Sequence, residues 1–93
     1  MADSVVERLR DEIMAADRAL VETINARLEL VAEIRRHKER HDLPFLDPAR
    51  EEWMLAYLAR ANRGPLSEEG LAELYALVLE ISKRETGEPV PLR

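Results

Sequence analysis

The sequence predicts an all-α protein in which three helices per chain, the first of them very long, form an intertwined homodimer. One observation is a run over residues 4–38 that contains neither glycine nor proline. Another is that apolar residues recur in this run every three or four positions, as on one face of an amphipathic helix. A third is that Pro44 and Pro65 divide the rest of the chain into two shorter stretches of helical pattern.

The first predicted helix begins near Ser4 and ends near Arg40 or His41, because the residue before Pro44 disfavours helical geometry. Its apolar residues fall within an arc of about 120° when each residue advances 100°. These residues are Val6, Leu9, Ile13, Ala16, Leu20, Ile24, Leu28, Val31 and Ile34.

The length of this helix predicts the dimer. At 1.5 Å per residue the helix is about 52 Å long, whereas a compact chain of this size has a diameter of only about 32 Å. A chain of 93 residues therefore cannot cover the whole apolar face by itself. We expect a second copy of the chain to cover it in an obligate dimer.

The second helix is predicted to begin at Pro48, with Asp47 as its N-cap, and to end at about Asn62. Ser67 is the predicted N-cap of the third helix, which should stop at Gly87. The predicted inward residues are Trp53, Met54, Tyr57 and Ala61 on the second helix and Leu71, Leu74, Val78 and Ile81 on the third. We expect one domain over residues 1–93, with a flexible tail over 87–93.

Composition excludes several classes of function. The net charge of -5 is unfavourable for binding nucleic acid, which requires a basic face. Apolar runs of only a few residues predict neither a membrane span nor a signal-peptide core. The absence of cysteine excludes thiolate chemistry and disulfides, and we expect a cytoplasmic protein.

Two cations interrupt the apolar face of the first helix. Arg27 and Lys38 lie within its arc, and an inward-facing cation requires either a carboxylate partner or an anionic ligand. They are separated by about 16 Å along the axis and about 20° around it, so both can contact one small molecule. Arg10 lies about 25 Å from Arg27 and can share that site only from the opposite subunit.

Other polar residues accompany these cations on the shorter helices. Asp47, Arg50 and Glu51 share one face of the second helix, and Ser82 and Glu85 flank the apolar stripe of the third. Each has an ordinary structural alternative, such as a helix cap, a solvated ion pair or a hydroxyl bonded to its own helix. Arg10, Arg27 and Lys38 can likewise lay their side chains on apolar surface and keep their charged ends in water.

One pair of histidines has the spacing of two metal ligands on a helix. His37 and His41 stand four residues apart, but no third ligand follows at a recognisable spacing. We therefore expect neither a metal nor a cofactor. No nucleophile with an adjacent base is present among the candidate residues.

Nearly the whole chain, from about residue 6 to residue 86, resembles the AroQ-type all-helical chorismate mutases. Three segments carry this resemblance: LRDEI with Arg10, ARLELVAEIRRHK with Arg27 and Lys38, and DPARE with Asp47, Arg50 and Glu51. Members of the family are intertwined dimers of three-helix chains, and each active site takes an arginine from the opposite subunit. The resemblance therefore agrees with the dimer expected from helix length.

The resemblance implies the Claisen rearrangement of chorismate to prephenate, a step towards phenylalanine and tyrosine. By analogy, Arg27 and Arg10 of the partner subunit bind the two carboxylates of the substrate, and Lys38 donates to the ether oxygen. Glu51 accepts from the ring hydroxyl. The remaining predicted pocket residues are Asp47, Arg50 and Ser82.

The sequence departs from the family one turn after Ser82. Family members usually place Gln there, or in some cases Glu, to assist the lysine at the ether oxygen, whereas this chain has Thr86. Either Glu85 or Thr86 then completes the site. Low activity, acid-dependent activity or dependence on a partner enzyme of the same pathway would follow.

Two alternatives remain open from the sequence. One is a sister enzyme on the same scaffold, an isochorismate-pyruvate lyase or an aminodeoxychorismate mutase. The other is a non-enzymatic helical regulatory or dimerisation module, in which the cations bind an acidic patch of a partner protein.

Overall fold

The computed structural model describes residues 3–87 and consists of three helices joined by short connectors. They are α1 (Ser4–Arg40), α2 (Pro48–Ala61) and α3 (Glu68–Thr86). The predicted all-α class and the order of three helices are confirmed. Within this part of the chain, no helix has an apolar stretch long enough to cross a membrane.

Local capping fixes both ends of α1. The carboxylate of Asp3 accepts hydrogen bonds from the backbone N–H groups of Val5 and Val6, which have no partner within the helix. At the other end, the N–H of Leu43 donates to the carbonyl of Lys38 at 2.8 Å. Asp42 turns the chain there with a φ of 55°.

The predicted N-caps of α2 and α3 are also confirmed. The carboxylate of Asp47 accepts from the N–H of Arg50 at 3.0 Å, and the hydroxyl of Ser67 accepts from the N–H of Gly70 at 3.0 Å. α3 ends at Thr86, and its C-cap is the predicted Gly87, whose N–H donates to the carbonyl of Lys83. The tail predicted to be flexible lies, apart from Gly87, outside the described residues.

Helix α3 packs against both α1 and α2, but its predicted inward stripe is partly wrong. Leu74 is 44% exposed, whereas Tyr75 is 8% exposed and Ser82 is 4% exposed. The buried residues are Leu71, Tyr75 and Ser82, at positions i, i+4 and i+11, with Val78 and Ile81 half-buried beside them. Because α3 contacts two neighbouring helices, the positions of those helices determine the centre of its buried face. Its own hydropathy pattern does not.

The prediction for α2 needs a similar correction in the single chain. Trp53 and Tyr57 are 51% and 47% exposed, and their rings stack with centroids 5.5 Å apart. Ala61 is exposed as well, whereas Met54, Leu55 and Leu58 are half-buried. Large aromatic side chains contribute strongly to any apolar pattern, so they shifted the predicted face away from these aliphatic residues.

The N-terminal half of α1 extends beyond the rest of the chain. Every residue from Asp3 to Thr23 is exposed, including Leu9, Ile13 and Leu20. The radius of gyration is 17.5 Å, compared with about 12 Å for a compact chain of this length. The accessible surface is 8030 Å², compared with about 5500 Å² for a compact monomer of this mass. The single chain therefore leaves much of its apolar surface uncovered.

Candidate active site

A cleft of about 960 Å³ opens between the C-terminal halves of α1 and α3 and the beginning of α2. Its size lies in the range of small-molecule sites. Its lining residues are Arg27, Leu30, Val31, Glu33, Ile34, His37, Lys38, Arg40, Phe45, Leu46, Asp47, Arg50, Glu51, Met54, Tyr75, Leu79, Ser82 and Lys83.

The charge of the cleft is opposite in sign to that of the chain. Its lining contains five Lys or Arg residues and three carboxylates, whereas the whole chain carries a net charge of -5. Local cations at close range outweigh distant charges, because solvent and salt screen the latter. The cleft therefore favours an anionic ligand.

Arg27 is anchored by the most deeply buried polar residue of the described chain. Its Nη1 donates to the hydroxyl of Ser82 at 2.5 Å, and that hydroxyl donates to the carbonyl of Val78 at 2.6 Å. Ser82 thus bonds to its own helix and accepts from Arg27 at the same time. The guanidinium keeps further N–H donors for a ligand.

Lys38 lies on the same wall of the cleft as Arg27. Its ammonium donates to the backbone carbonyl of Phe45 at 3.4 Å, and Phe45 belongs to the connector between α1 and α2. An ammonium group has three N–H donors, so two remain available. The cleft therefore contains both inward-facing cations that the sequence predicted on α1.

Glu51 makes an ion pair that sequence reasoning missed. Its Oε2 is 3.1 Å from Nζ of Lys83 on α3, and both residues line the cleft. No periodic pattern connects two residues 32 positions apart on different helices, so the sequence contained no local signal for this pair. His37, Arg40 and Phe45 are further lining residues that were not predicted as site residues.

Asp47 and Arg50 line the cleft at the beginning of α2. The carboxylate of Asp47 caps this helix, and both residues are exposed. The guanidinium of Arg50 lies over the ring of Trp53, with its carbon 4.9 Å from the ring centroid. Asp47 therefore has a structural role in the single chain whether or not it also contacts a ligand.

Three predicted site residues do not line the cleft. Arg10 is exposed on the N-terminal half of α1. The carboxylate of Glu85 is 3.3 Å from the guanidinium of Arg84, and the hydroxyl of Thr86 donates to the carbonyl of Ser82 at 2.6 Å. Of the last turn of α3, Lys83 lines the cleft, whereas Arg84, Glu85 and Thr86 do not.

The two histidines lie against each other near the end of α1. The ring centroids of His37 and His41 are 4.3 Å apart, and the rings are tilted by 42°. Within residues 3–87, no three potential metal ligands cluster together.

Comparison with known proteins identifies the family. The model of the family "Chorismate mutase type II" matches residues 9–86. The chain is 36% identical over 76 residues to a 4-amino-4-deoxychorismate mutase of Streptomyces venezuelae, and the match covers 80% of this chain and 73% of that protein. It is 38% identical over 79 residues to the T-protein of Haemophilus influenzae, but this match covers 84% of the chain and only 20% of the longer protein.

A solved structure agrees with these matches. The chorismate mutase (form II) of Thermus thermophilus superimposes with a TM-score of 0.82 at 35% identity, and the match covers 85% of this chain and 90% of that one. Both the sequence and the three-helix fold are therefore shared with the same group of proteins. With a family match that extends over nearly all the described residues, the chain belongs to the type II, or AroQ, chorismate mutases.

Proposed function

We propose that this protein is a chorismate mutase that converts chorismate to prephenate by a Claisen rearrangement. The observation that carries this proposal is that Arg27 and Lys38 line one cleft together with Glu51 and Ser82. Chorismate is a dianion, and the cleft offers cations against the overall negative charge of the chain. Membership of the family supports the same substrate.

The rearrangement is pericyclic, so it requires neither a nucleophile nor a proton transfer. The enzyme has to hold the substrate in its reactive conformation and to stabilise the negative charge that develops on the ether oxygen. Arg27, fixed by Ser82, is suited to bind a carboxylate of the substrate. Lys38 keeps two N–H donors, and one of them is proposed to reach the ether oxygen.

The site is proposed to be completed by a second copy of the chain. The apolar residues exposed along the first half of α1 require a cover, and the excess of accessible surface is of the size that an obligate dimer buries. An antiparallel arrangement of two α1 helices would bring Arg10 of the partner subunit to the cleft. Arg10 would then bind the second carboxylate.

Glu51 is proposed to accept a hydrogen bond from the ring hydroxyl of chorismate. Its Oε2 lies 3.1 Å from Nζ of Lys83, and an ionised carboxylate is purely an acceptor. Asp47 and Arg50 would line the mouth of the occupied site. Glu85 and Thr86 belong to the proposed substrate pocket only if the last turn of α3 rearranges when the substrate binds.

The Streptomyces relative raises the 4-amino analogue of chorismate as a substrate. An ammonium group on the ring would lie near Glu51, but it would also lie near the ammonium of Lys83, which already neutralises this carboxylate. Like charges at short range repel. The ion pair thus favours a hydroxyl over an amino group, and the sister activities are the less favoured proposals.

Several broader expectations stay predictions. A cytoplasmic location, a partner enzyme of the same pathway that orders the end of α3, and a single domain over residues 1–93 are consistent with the proposed activity. The family match disfavours a purely regulatory helical module. Such a module would convert none of the compounds offered in the following assay.

The test is to follow the loss of chorismate by absorbance and to identify the product by mass spectrometry. We expect prephenate from the wild-type protein and a rate lower by about 10²–10³ in Lys38→Ala, since such a loss is typical when one donor to developing charge is removed. Isochorismate and 4-amino-4-deoxychorismate are offered in parallel. Faster turnover of either compound than of chorismate, or no turnover of any of the three, would contradict the proposal.

A further inference from the structure

Arg35 lies beside the cleft without lining it, and its guanidinium is nearly enclosed. The side chain is 15% exposed. Its Nε donates to the carboxylate of Glu39 at 3.1 Å, while its Nη1 is buried and finds no acceptor among residues 3–87. Removing part of a cation from water is costly, so the other contacts of Arg35 must stabilise this placement.

One of these contacts is with the C-terminal end of α3. A Cβ atom added to Gly87 would collide with Nη1 of Arg35 and lie 3.1 Å from its Cζ. The guanidinium therefore occupies the space that a side chain at position 87 would need. A cation is also favourable there, because the end of a helix carries partial negative charge.

The other contact is with Phe45 in the connector between α1 and α2. The Cζ of Arg35 lies 4.3 Å from the centroid of the Phe45 ring, which is a cation–π geometry. The backbone carbonyl of the same Phe45 accepts the hydrogen bond from Lys38. Arg35 and Lys38 thus hold the ring and the carbonyl of one residue.

We propose that Arg35 is a positioning residue for Lys38. The guanidinium of Arg35 lies against both the ring of Phe45 and Gly87 at the end of α3, so it restrains Phe45 and with it the carbonyl that orients the Lys38 ammonium. The remaining donors of Lys38 then point into the cleft in a constant direction. Because a shift of about 1 Å in a reacting group costs up to about 10² in rate, this restraint affects the chemical step.

The inference rests on the proposed role of Lys38, and its first test is Arg35→Met. This change removes the charge and keeps an unbranched side chain. We expect kcat for chorismate to fall about tenfold while KM changes less than about twofold, since Arg35 does not line the cleft. Arg35→Lys keeps a cation over the ring and should recover part of the loss. The neighbouring exposed Arg36, replaced by Met, is the matched control and should leave both constants unchanged.

A double-mutant cycle tests whether Arg35 acts through Phe45. We expect Phe45→Leu to lower kcat and the double variant with Arg35→Met to be no slower than Phe45→Leu alone. The Cβ of Gly87→Ala would collide with the guanidinium and would lie 3.0 Å from the backbone carbonyl of Lys83, so this substitution should lower kcat more in the wild type than in Arg35→Met. An unchanged kcat in Arg35→Met, or losses that multiply in the double variant, would overturn the proposal.

Amide hydrogen exchange over residues 43–46 gives a readout that does not depend on turnover. Exchange there should be faster in Arg35→Met than in Arg36→Met, and equal exchange would overturn the restraint by Arg35. If exchange differed between the two variants in this way but the wild-type protein did not convert chorismate, the proposed function would fail while the restraint by Arg35 held. If Arg35→Met does not fold, Arg35→Lys and Gly87→Ala are compared in its place, and wild-type kcat and exchange in both would overturn the proposal.

Discussion

At the scale of single residues, Ser82 is the clearest link between packing and the site. It is buried on α3 and accepts a hydrogen bond from Arg27, a residue 55 positions earlier in the chain. A buried hydroxyl that satisfies its donor and one acceptor position at once fixes a guanidinium more firmly than a solvated residue would. The direction of Arg27 therefore depends on α3 rather than on α1 alone.

Ser82→Ala removes this anchor. We expect the KM for chorismate to rise about tenfold, because a hydrogen bond to a charged group contributes about 1.5–3 kcal/mol and Arg27 then has to be ordered by the substrate. Initial-rate kinetics measure the change. Thr23, whose hydroxyl also bonds to its own helix but lies outside the cleft, provides the control variant Thr23→Ala. Equal effects of the two substitutions would contradict the role of Ser82.

Thr86 offers a gain-of-function test. It lies one turn after Ser82, and its hydroxyl bonds to its own helix instead of reaching the cleft. Thr86→Gln extends an amide from this turn, so we expect kcat to rise about tenfold as a second donor reaches the ether oxygen. Glu85→Gln should change little, because Glu85 pairs with Arg84 outside the cleft. A larger gain from Glu85→Gln, with a flatter pH profile, would place Glu85 in the site instead.

At the scale of helices, the sequence predicted boundaries better than faces. Asp47 and Ser67 cap the helices that they were predicted to cap, because a cap depends only on residues within one turn. The buried faces of α2 and α3 depend on neighbours distant in sequence. Leu74 and Trp53 are therefore exposed in the single chain although each fits an apolar stripe.

Site residues were likewise visible in the sequence where they depend on one helix, and not where they depend on contacts between helices. Arg27 and Lys38 interrupt the apolar pattern of one helix, so they were visible in the sequence, and both line the cleft. The ion pair of Glu51 with Lys83 and the contact of Arg35 with Phe45 join different elements. Such contacts arise only from the packing of the helices, so neither the composition nor the apolar periodicity of a single helix predicts them.

Asp47 allows the capping role and the charge to be separated. Asp47→Ala should lower the free energy of unfolding by about 1 kcal/mol because α2 loses its N-cap. Asp47→Asn keeps a good cap and removes the charge. We expect Asp47→Asn to retain wild-type stability in denaturant titrations. If its kcat/KM is also that of the wild type, Asp47 serves only as a cap, whereas a loss of kcat/KM at full stability would reveal a contribution to the site.

At the scale of the whole molecule, the shared site can be tested by complementation. Arg10→Ala and Lys38→Ala homodimers should both be nearly inactive, since each lacks one cation at every site. After subunit exchange, a mixed dimer has one site with both residues intact. We expect equal mixing to restore about a quarter of wild-type activity, measured after brief partial denaturation and refolding. Activity that stays at the level of the two parents would show that Arg10 does not serve the opposite subunit.

The exposed first half of α1 also connects folding to protein concentration. If these apolar residues are covered only by a second chain, unfolding and dissociation are one reaction, and its equilibrium contains the square of the concentration of free chains. Each tenfold dilution then lowers the stability of the dimer by about 1.4 kcal/mol, so the thermal midpoint should decrease steadily across a dilution series. Below a threshold abundance, a cell would contain unfolded chains instead of less active enzyme, and the supply of prephenate would respond to expression more steeply than in proportion.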